Sequence, residues 1–269
     1  MHIRRLLLPL GLFLFAPAFC QIGPDHGSLL IAGGGTLGPE IMQRFLQLAG
    51  GKDAPIVFIP TAGDRDSYDD DSIGKQFFAK SGATHVTLLH TRDRRVANSK
   101  EFVKPIQQAR AVWFSGGRQW RLVDSYLNTR THRELRKLLA RGGVIGGSSA
   151  GATIQGSYLV RGAREGNTIM MAPGYETGLG FIRHVGIDQH LLKRNRQNDM
   201  VAVVEKHRDL LGIGIDECTA IVVQGNAFEV IGTSKVAIYD PKRPAGEDGK
   251  HYYFLNPGDH FDLLRRVRR

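Results

Sequence analysis

Short apolar runs alternate with longer helical patterns along most of the chain, which predicts a mostly parallel sheet with helices on both faces. The first runs that predict strands are 29–32, 56–59, 84–89, 111–114 and 143–147. Helices are predicted to begin near Pro39 and to cover 119–127 and 131–140. Four later apolar runs also predict strands, at 199–206, 211–216, 220–224 and 228–232. The pattern therefore predicts a three-layer α/β fold, in one domain over 21–269.

The first twenty residues have the pattern of a secretory signal peptide. Two arginines precede an apolar run over 6–20, which contains the A-x-A cleavage pattern Ala16-Pro17-Ala18. A membrane-spanning helix needs about 20 apolar residues, and this run is shorter. We therefore expect 1–20 to be removed and the mature protein to be secreted or periplasmic. Phe19 is bulky where a lipid anchor on Cys20 would need a small residue, so no such anchor is expected.

Composition and charge exclude several classes of protein. The only cysteines are Cys20 and Cys218, too few for a disulfide scaffold or a cysteine-rich zinc site. The formal net charge is +10, but the basic residues are spread along the chain and form no stripe with aromatic residues, so no nucleic-acid partner is expected. A solvated basic surface is the simpler interpretation, and attraction of an anionic substrate is the alternative.

The strongest chemical motif is Gly147-Ser148-Ser149-Ala150-Gly151, which matches G-x-S-x-G between an apolar strand and a small-residue helix start. Glycines allow a turn sharp enough to expose the central hydroxyl above the sheet. The motif therefore predicts a nucleophile elbow with Ser149 as the nucleophile. The amide of Ala150 could then donate to an oxyanion. The competing interpretation is a small-residue turn or an anion site at the helix start.

A nucleophilic serine needs a base, and the base needs an orienting carboxylate. His190 is the best candidate base, because it follows a short apolar stretch. The carboxylate could be Glu165, Asp216 or Glu217, and the residues alone do not choose among them.

Two further glycine clusters follow predicted strands. Gly33, Gly35 and Gly38 satisfy G-x-G-x-x-G, but no acidic residue stands at the end of the second strand, as dinucleotide binding would require. A tight turn with close packing is therefore the favoured interpretation. Gly116 and Gly117 end another strand, and their flexible amides could complete an oxyanion hole.

Together these motifs resemble the cyanophycinase and dipeptidase E group of serine peptidases, whose fold is like that of class I glutamine amidotransferases. The resemblance extends over essentially the whole mature chain. The segments that carry it are 31–35, 59–62, 114–119, 147–152, 188–190, 212–217 and 257–263. The cyanophycinase branch fits best, because Asp188-Gln189-His190 is followed by Arg194 and Arg196.

The resemblance implies a catalytic triad of Ser149, His190 and a glutamate, with Glu165 nearest to the family's position. It also implies an oxyanion hole made by the amides of Gly117 and Ala150. Five residues match positions that line the substrate pocket in cyanophycinases: Gln119, Asp188, Gln189, Arg194 and Arg196. No metal or organic cofactor is implied, and relatives suggest a homodimer.

Cyanophycinases cleave cyanophycin, a poly-aspartate whose side-chain carboxyls carry arginine, and release β-aspartyl-arginine dipeptides. The resemblance therefore implies a peptide or cyanophycin polymer as the substrate. Arg194 and Arg196 could pair with carboxylates, and Asp188 could receive a guanidinium. Two positions depart from the family, because Arg118 stands where many relatives have Asp and Asp199 where cyanophycinases tend to carry Arg. Both reverse a charge near the expected pocket, which points to a preference for a different peptide.

Three other functions compete with a secreted cyanophycinase. An exopeptidase for other aspartyl dipeptides is disfavoured by the basic pair Arg194 and Arg196. A catalytically silent, peptide-binding relative is disfavoured because Ser149 and its candidate partners are all retained. An esterase of the α/β-hydrolase type would take its histidine from near the chain end, where only His251 and His260 could serve.

Overall fold

The computed structural model describes residues 21–68 and 70–269, so the predicted signal peptide, 1–20, lies outside the described residues. The strands are, in chain order, β1 (Ser28–Ala32), β2 (Ile56–Ile59), β3 (Val86–Leu88), β4 (Ala111–Phe114), β5 (Val144–Ser148), β6 (Gly156–Tyr158), β7 (Ile182–Gln189), β8 (Leu211–Ile215), β9 (Thr219–Gln224), β10 (Ala227–Gly232), β11 (Val236–Tyr239), β12 (Tyr253–Leu255), β13 (His260–Asp262) and β14 (Val267–Arg268). The helices are α1 (Pro39–Ala49), α2 (Ser72–Phe78), α3 (Arg94–Ala97), α4 (Lys104–Gln108), α5 (Gln119–Tyr126), α6 (Arg130–Ala140), α7 (Ala150–Thr153) and α8 (Asp199–Lys206), with a 3₁₀ turn at Ala79–Ser81.

The strands form two mixed sheets. The larger sheet has the order β14-β13-β10-β9-β1-β5-β4-β2-β3, and the smaller has the order β12-β11-β8-β7-β6. The five strands β1, β5, β4, β2 and β3 pair in parallel, as predicted, whereas β9 joins β1 antiparallel. The α/β class is therefore confirmed. In the larger sheet, parallel pairing is confined to these five strands, because hairpins from the second half of the chain extend that sheet on one side. In the smaller sheet, β6, β7 and β8 also pair in parallel.

Side chains alternate between the two faces of the larger sheet and so build two separate cores. Leu29 and Ile31 of β1 join one core with residues of α5, α6 and the smaller sheet. Leu30 and Ala32 join the other core, which α1 covers. This alternation is what burial of a sheet on both faces requires. It leaves the smaller sheet stacked against the same face as α5 and α6.

One predicted strand is wrong. Residues 199–206 form α8, which packs on the outer face of the smaller sheet. Its apolar residues suggested a strand, but the buried ones, Met200, Val203 and Val204, recur at helical spacing. An added Cβ at Gly212 of β8 would lie 2.7 Å from the Cγ of Met200, so this strand glycine allows the helix to approach closely. The predicted strands at 211–216, 220–224 and 228–232 are confirmed.

Candidate active site

Ser149 lies at a sharp turn between β5 and α7, as the G-x-S-x-G motif predicts. Its backbone has φ 55° and ψ −115°, a strained conformation for a residue with a side chain. The flanking glycines make the turn possible. A Cβ at Gly147 would lie 2.3 Å from the carbonyl oxygen of Gly151, and one at Gly151 would lie 2.2 Å from that of Phe114. The strained backbone is the geometry expected of a nucleophile elbow.

His190 follows the last residue of β7 and faces the serine. Its Nε2 lies 2.9 Å from Ser149 Oγ, within hydrogen-bonding distance. The side chain of His190 is 9% exposed, so water has little access to the ring. This is the nucleophile–base contact that serine catalysis requires.

The carboxylate that contacts His190 is Glu217, whose Oε1 lies 2.6 Å from Nδ1 of the imidazole. Glu165, the acid that the family resemblance favoured, is exposed between β6 and β7 and makes no side-chain hydrogen bond to His190. The assignment of Glu165 is therefore wrong in this geometry. Glu217 can contact His190 because β8 pairs in parallel with β7, so the residues that follow the two strands lie side by side.

The glycine turn after β1 holds these groups together. The carbonyl oxygens of Ala32 and Gly33 accept the backbone N–H of Ser149 and of His190, each at 3.1 Å. Gly34 has φ 120°, and a Cβ there would lie 2.4 Å from Cε1 of His190. The prediction of a tight, closely packed turn is confirmed, and the packing partner at its tip is the imidazole of His190. A side chain at Gly34 would displace that ring.

The two predicted oxyanion donors flank the serine. Ala150 is the first residue of α7, and Gly117 lies after β4 with φ 142°. Among the described residues, neither backbone N–H has a hydrogen-bond acceptor. The neighbouring Gly116 lies close to the serine, because a Cβ there would be 3.7 Å from Ser149 Oγ. Two free amides beside a nucleophile form the arrangement that stabilises a tetrahedral oxyanion.

Burial lowers the pKa of His190 below the ordinary value of a histidine. The charges of Arg194 and Arg196 act in the same direction, whereas the hydrogen bond and the charge of Glu217 oppose them. The net lowering keeps the imidazole neutral near pH 7, and a neutral imidazole is the form that accepts a proton from Ser149.

The predicted pocket residues fall into two groups. Gln119, at the start of α5, is 1% exposed, and its Nε2 has no hydrogen-bond partner among the described residues. Gln189 lies beside the base and accepts a hydrogen bond of 3.0 Å from Nη1 of Arg196 through its Oε1. Arg196 is buried, whereas Arg194 is exposed. These four side chains remain candidates for contacting a substrate.

The sequence analysis suggested that Asp188 could receive a guanidinium from a ligand. In the structure, its carboxylate is already paired within the protein. Its two carboxylate oxygens accept hydrogen bonds of 2.7 and 2.8 Å from Nε and Nη2 of Arg161. Asp188 is 0% exposed and Arg161 is 1% exposed. The same Nη2 also donates to Asp199 at 2.7 Å. The charge reversal at Asp199 is therefore matched inside the protein by a buried arginine.

Two residues of this site were missed or left undecided by the sequence. Glu217 was one of three open candidates, and only the pairing of β7 with β8 distinguishes it. Arg161 was missed, because no motif or spacing links a lone arginine after β6 to carboxylates 27 and 38 residues further on.

The comparisons with known proteins agree with this geometry. The family model described as Peptidase family S51 matches residues 29–231. The chain belongs to peptidase family S51. It is therefore a serine-type peptidase, and the matched range contains Ser149, His190 and Glu217. Within the described residues there is no helix that could cross a membrane. The same part of the chain has no cluster of potential metal ligands.

Curated relatives and solved structures of similar proteins cover most of the chain. A cyanophycinase from Geminocystis herdmanii is 36% identical over 224 residues, which are 80% of this chain and 81% of that protein. A cyanophycinase from Nostoc sp. is 32% identical over 267 residues, covering 89% of this chain and 87% of that protein. The crystal structure of a peptidase from an acI-B1 actinobacterium matches with a TM-score of 0.67 at 25% identity, covering 90% of this chain and 97% of that chain. A putative peptidase E protein from Listeria monocytogenes matches with a TM-score of 0.57 at 16% identity, covering 77% and 99%, and supports the fold alone.

Replacing Arg161 should strongly destabilise this S51 peptidase. We expect Arg161→Met to lower the free energy of unfolding by about 3–5 kcal/mol, because it leaves the buried charge of Asp188 without a partner. The matched control is Arg95→Met, which breaks an ion pair with Asp93 whose arginine side chain is 92% exposed. That change should cost less than about 1 kcal/mol. Urea denaturation of both variants measures the difference, and equal losses would contradict the structural role of Arg161.

Proposed function

We propose that this chain hydrolyses cyanophycin and releases β-aspartyl-arginine dipeptides, with Ser149 as the nucleophile. The observation that carries the proposal is the hydrogen-bonded series Ser149–His190–Glu217, at 2.9 and 2.6 Å, in an S51 chain that is similar to cyanophycinases. The geometry supports the catalytic mechanism, and the similarity to cyanophycinases supports the substrate.

In the proposed acylation step, Ser149 Oγ attacks the scissile carbonyl while Nε2 of His190 takes the hydroxyl proton. Glu217 holds Nδ1–H of the imidazole, which fixes the tautomer and stabilises the imidazolium that forms. The amides of Gly117 and Ala150 donate to the tetrahedral oxyanion. The intermediate then collapses: the bond between the carbonyl carbon and the leaving nitrogen breaks, and the departing amine takes the proton from His190.

In the deacylation step, water replaces the departed amine. His190 removes a proton from the water, whose oxygen attacks the acyl carbon, and the same two amides stabilise the second tetrahedral intermediate. The ester bond to Ser149 Oγ then breaks, and the serine recovers its proton from His190. Neither step requires a metal or an organic cofactor.

The second candidate is an exopeptidase for other aspartyl peptides. It is favoured by Asp188, because a carboxylate bound to Arg161 does not offer the guanidinium site that an arginine-bearing polymer would use. A catalytically silent relative is disfavoured by the hydrogen bond between Ser149 and His190, since a binding protein has no need of an aligned base.

We further propose that residues 1–20 direct export of the protein and are removed in the process. Support for this proposal comes from the charged start, the short apolar run and the A-x-A pattern. Expression of the full chain in a Gram-negative host, followed by N-terminal sequencing of the periplasmic protein, tests it. The expected first residue is at or just before Gln21. An intact Met1 on protein found in the cytoplasm would contradict export.

The two glutamates give a matched pair for testing the triad. We expect Glu217→Gln to lower kcat by about 10²–10⁴-fold, because the imidazolium loses its carboxylate. Glu165→Gln removes the same charge from an exposed position and should leave kcat within about twofold of the wild type. An equal loss in the two variants, or a loss only in Glu165→Gln, would reject Glu217.

The pH profile adds a second readout on the same variants. Activity is lost as the pH falls through the pKa of His190, so the acid limb of kcat/KM in the wild type should lie below about pH 6.5. Glu217 raises that pKa, so its replacement by glutamine should move the residual acid limb to still lower pH.

Hydrolysis of purified cyanophycin tests the substrate. The wild type should release β-aspartyl-arginine, identified by mass spectrometry, and Ser149→Ala should release none above background. If the wild type leaves the polymer intact and cleaves short aspartyl peptides, the second candidate is correct. If it cleaves neither and Ser149 resists a fluorophosphonate probe, the chain is catalytically silent.

A further inference from the structure

Four consecutive residues beside the oxyanion hole have buried N–H groups that lack acceptors. These atoms are Nε of Arg118, Nε2 of Gln119, Nε1 of Trp120 and Nε of Arg121, and none has a partner among the described residues. Buried polar groups in folded proteins are nearly always hydrogen-bonded, so an unpaired group needs an explanation. All four atoms are donors, so the first turn of α5 holds more hydrogen-bond donors than acceptors.

Two of these residues also carry charge that no carboxylate neutralises within the described chain. Nη2 of Arg118 donates to the carbonyl oxygen of Ala163 at 2.7 Å, and Nη1 of Arg121 donates to that of Ala62 at 3.2 Å. Other arginines in the same region do have acidic partners. Arg92 pairs with Asp66, and Arg164 pairs with Asp124. Arg118 and Arg121 are therefore two cations at this rim of the site that no carboxylate of the described residues neutralises.

Arg118 and Arg121 lie close to Gly117, one of the two predicted oxyanion donors. Arg118 follows Gly117 directly, and both it and Gly117 lie against the loop after β2, because the Arg118 N–H donates to Ala62 O at 2.8 Å. Arg118 is the N-cap of α5, and Arg121 lies three residues further on, in the first turn of the helix. The guanidinium of Arg121 donates to the same loop after β2, at the carbonyl oxygens of Ala62 and Gly63. Both arginines therefore lie near the loop against which Gly117 packs, beside the predicted oxyanion hole.

We propose that Arg118 and Arg121 form a subsite for a carboxylate of the substrate, next to the oxyanion hole. The inference rests on the proposed function and specifies it further. Cyanophycin presents a free carboxylate on each arginine that is attached to the aspartate backbone. A guanidinium donates several N–H groups in a fixed fork that fits a carboxylate, and a carboxylate supplies only acceptors. The subsite selects for that carboxylate and not for the substrate guanidinium.

The test compares two substrates in two enzymes. The substrates are short cyanophycin oligomers with free arginine carboxylates and the same oligomers with arginine carboxamides. In the wild type, kcat/KM for the carboxylate substrate should exceed that for the carboxamide by about 10–100-fold, the usual contribution of a charge-assisted hydrogen bond. Arg118→Met should reduce that ratio to nearly one, and Arg118→Lys should restore part of it.

The matched control is Arg133→Met, which removes one charge from an exposed position on α6. It should keep the wild-type ratio. A purely structural role of Arg118 would lower kcat/KM for both substrates equally, so the ratio separates recognition from folding. Labelling of Ser149 by a fluorophosphonate shows that each variant retains the nucleophile elbow.

Cleavage of both substrates by the wild type at the same rate overturns the subsite alone. No cleavage of either oligomer by the wild type overturns the proposed substrate, and the subsite inferred for it as well.

Discussion

Three consecutive carbonyl groups at the end of β1 and in the turn that follows it determine the geometry of the site. Those of Ala32, Gly33 and Gly34 accept the backbone N–H of Ser149, His190 and Cys218, the residue next to Glu217, at 3.1, 3.1 and 3.0 Å. The three donor residues all have φ near +55°. Such backbones are costly, and they persist only where surrounding contacts fix them. One short turn therefore aligns Ser149, His190 and Glu217, although they come from three separate parts of the sequence.

A buried arginine supports the same region from the opposite side. Arg161 joins Asp188, at the end of β7, to Asp199, at the start of α8, and it also donates to the carbonyl oxygen of Asn167 at 2.7 Å. Arg161 and Asp188 are buried, whereas the side chain of Asp199 is 38% exposed. Burying a charge is costly unless it is hydrogen-bonded, and here the geometry is bidentate on Asp188. Because Asp188 lies two residues before the base, the ion network and the catalytic alignment depend on the same strand end.

Local patterns predicted most of the fold and the part of the site that is continuous in sequence. The elbow around Ser149 and the tight turn at Gly34 are local, so a few neighbouring residues specify them. The remainder depends on which strands are neighbours. Glu217 contacts His190 only because β8 lies beside β7, and Arg161 finds its carboxylates only through tertiary packing. Dependence on tertiary packing also explains why α8 was predicted as a strand. Its apolar residues are compatible with a strand or a helix, and the packing of the helix against Gly212 of β8 is not visible in the sequence.

A positive electrostatic field at the site connects these features. Burial lowers the pKa of His190, and the charges of Arg194 and Arg196 add to that lowering, which keeps the imidazole neutral near pH 7. In the proposed mechanism the same field favours the oxyanion, since negative charge develops there in a pocket with little water. Arg118 and Arg121 extend the field to the rim beside Gly117, where no carboxylate of the described chain neutralises them. Stabilisation of the transition state and attraction of a carboxylate then have one physical origin, and the same charges add to the effect of burial on the pKa of His190. A charge reversal at the rim would therefore affect the two electrostatic contributions more than the protonation state of His190.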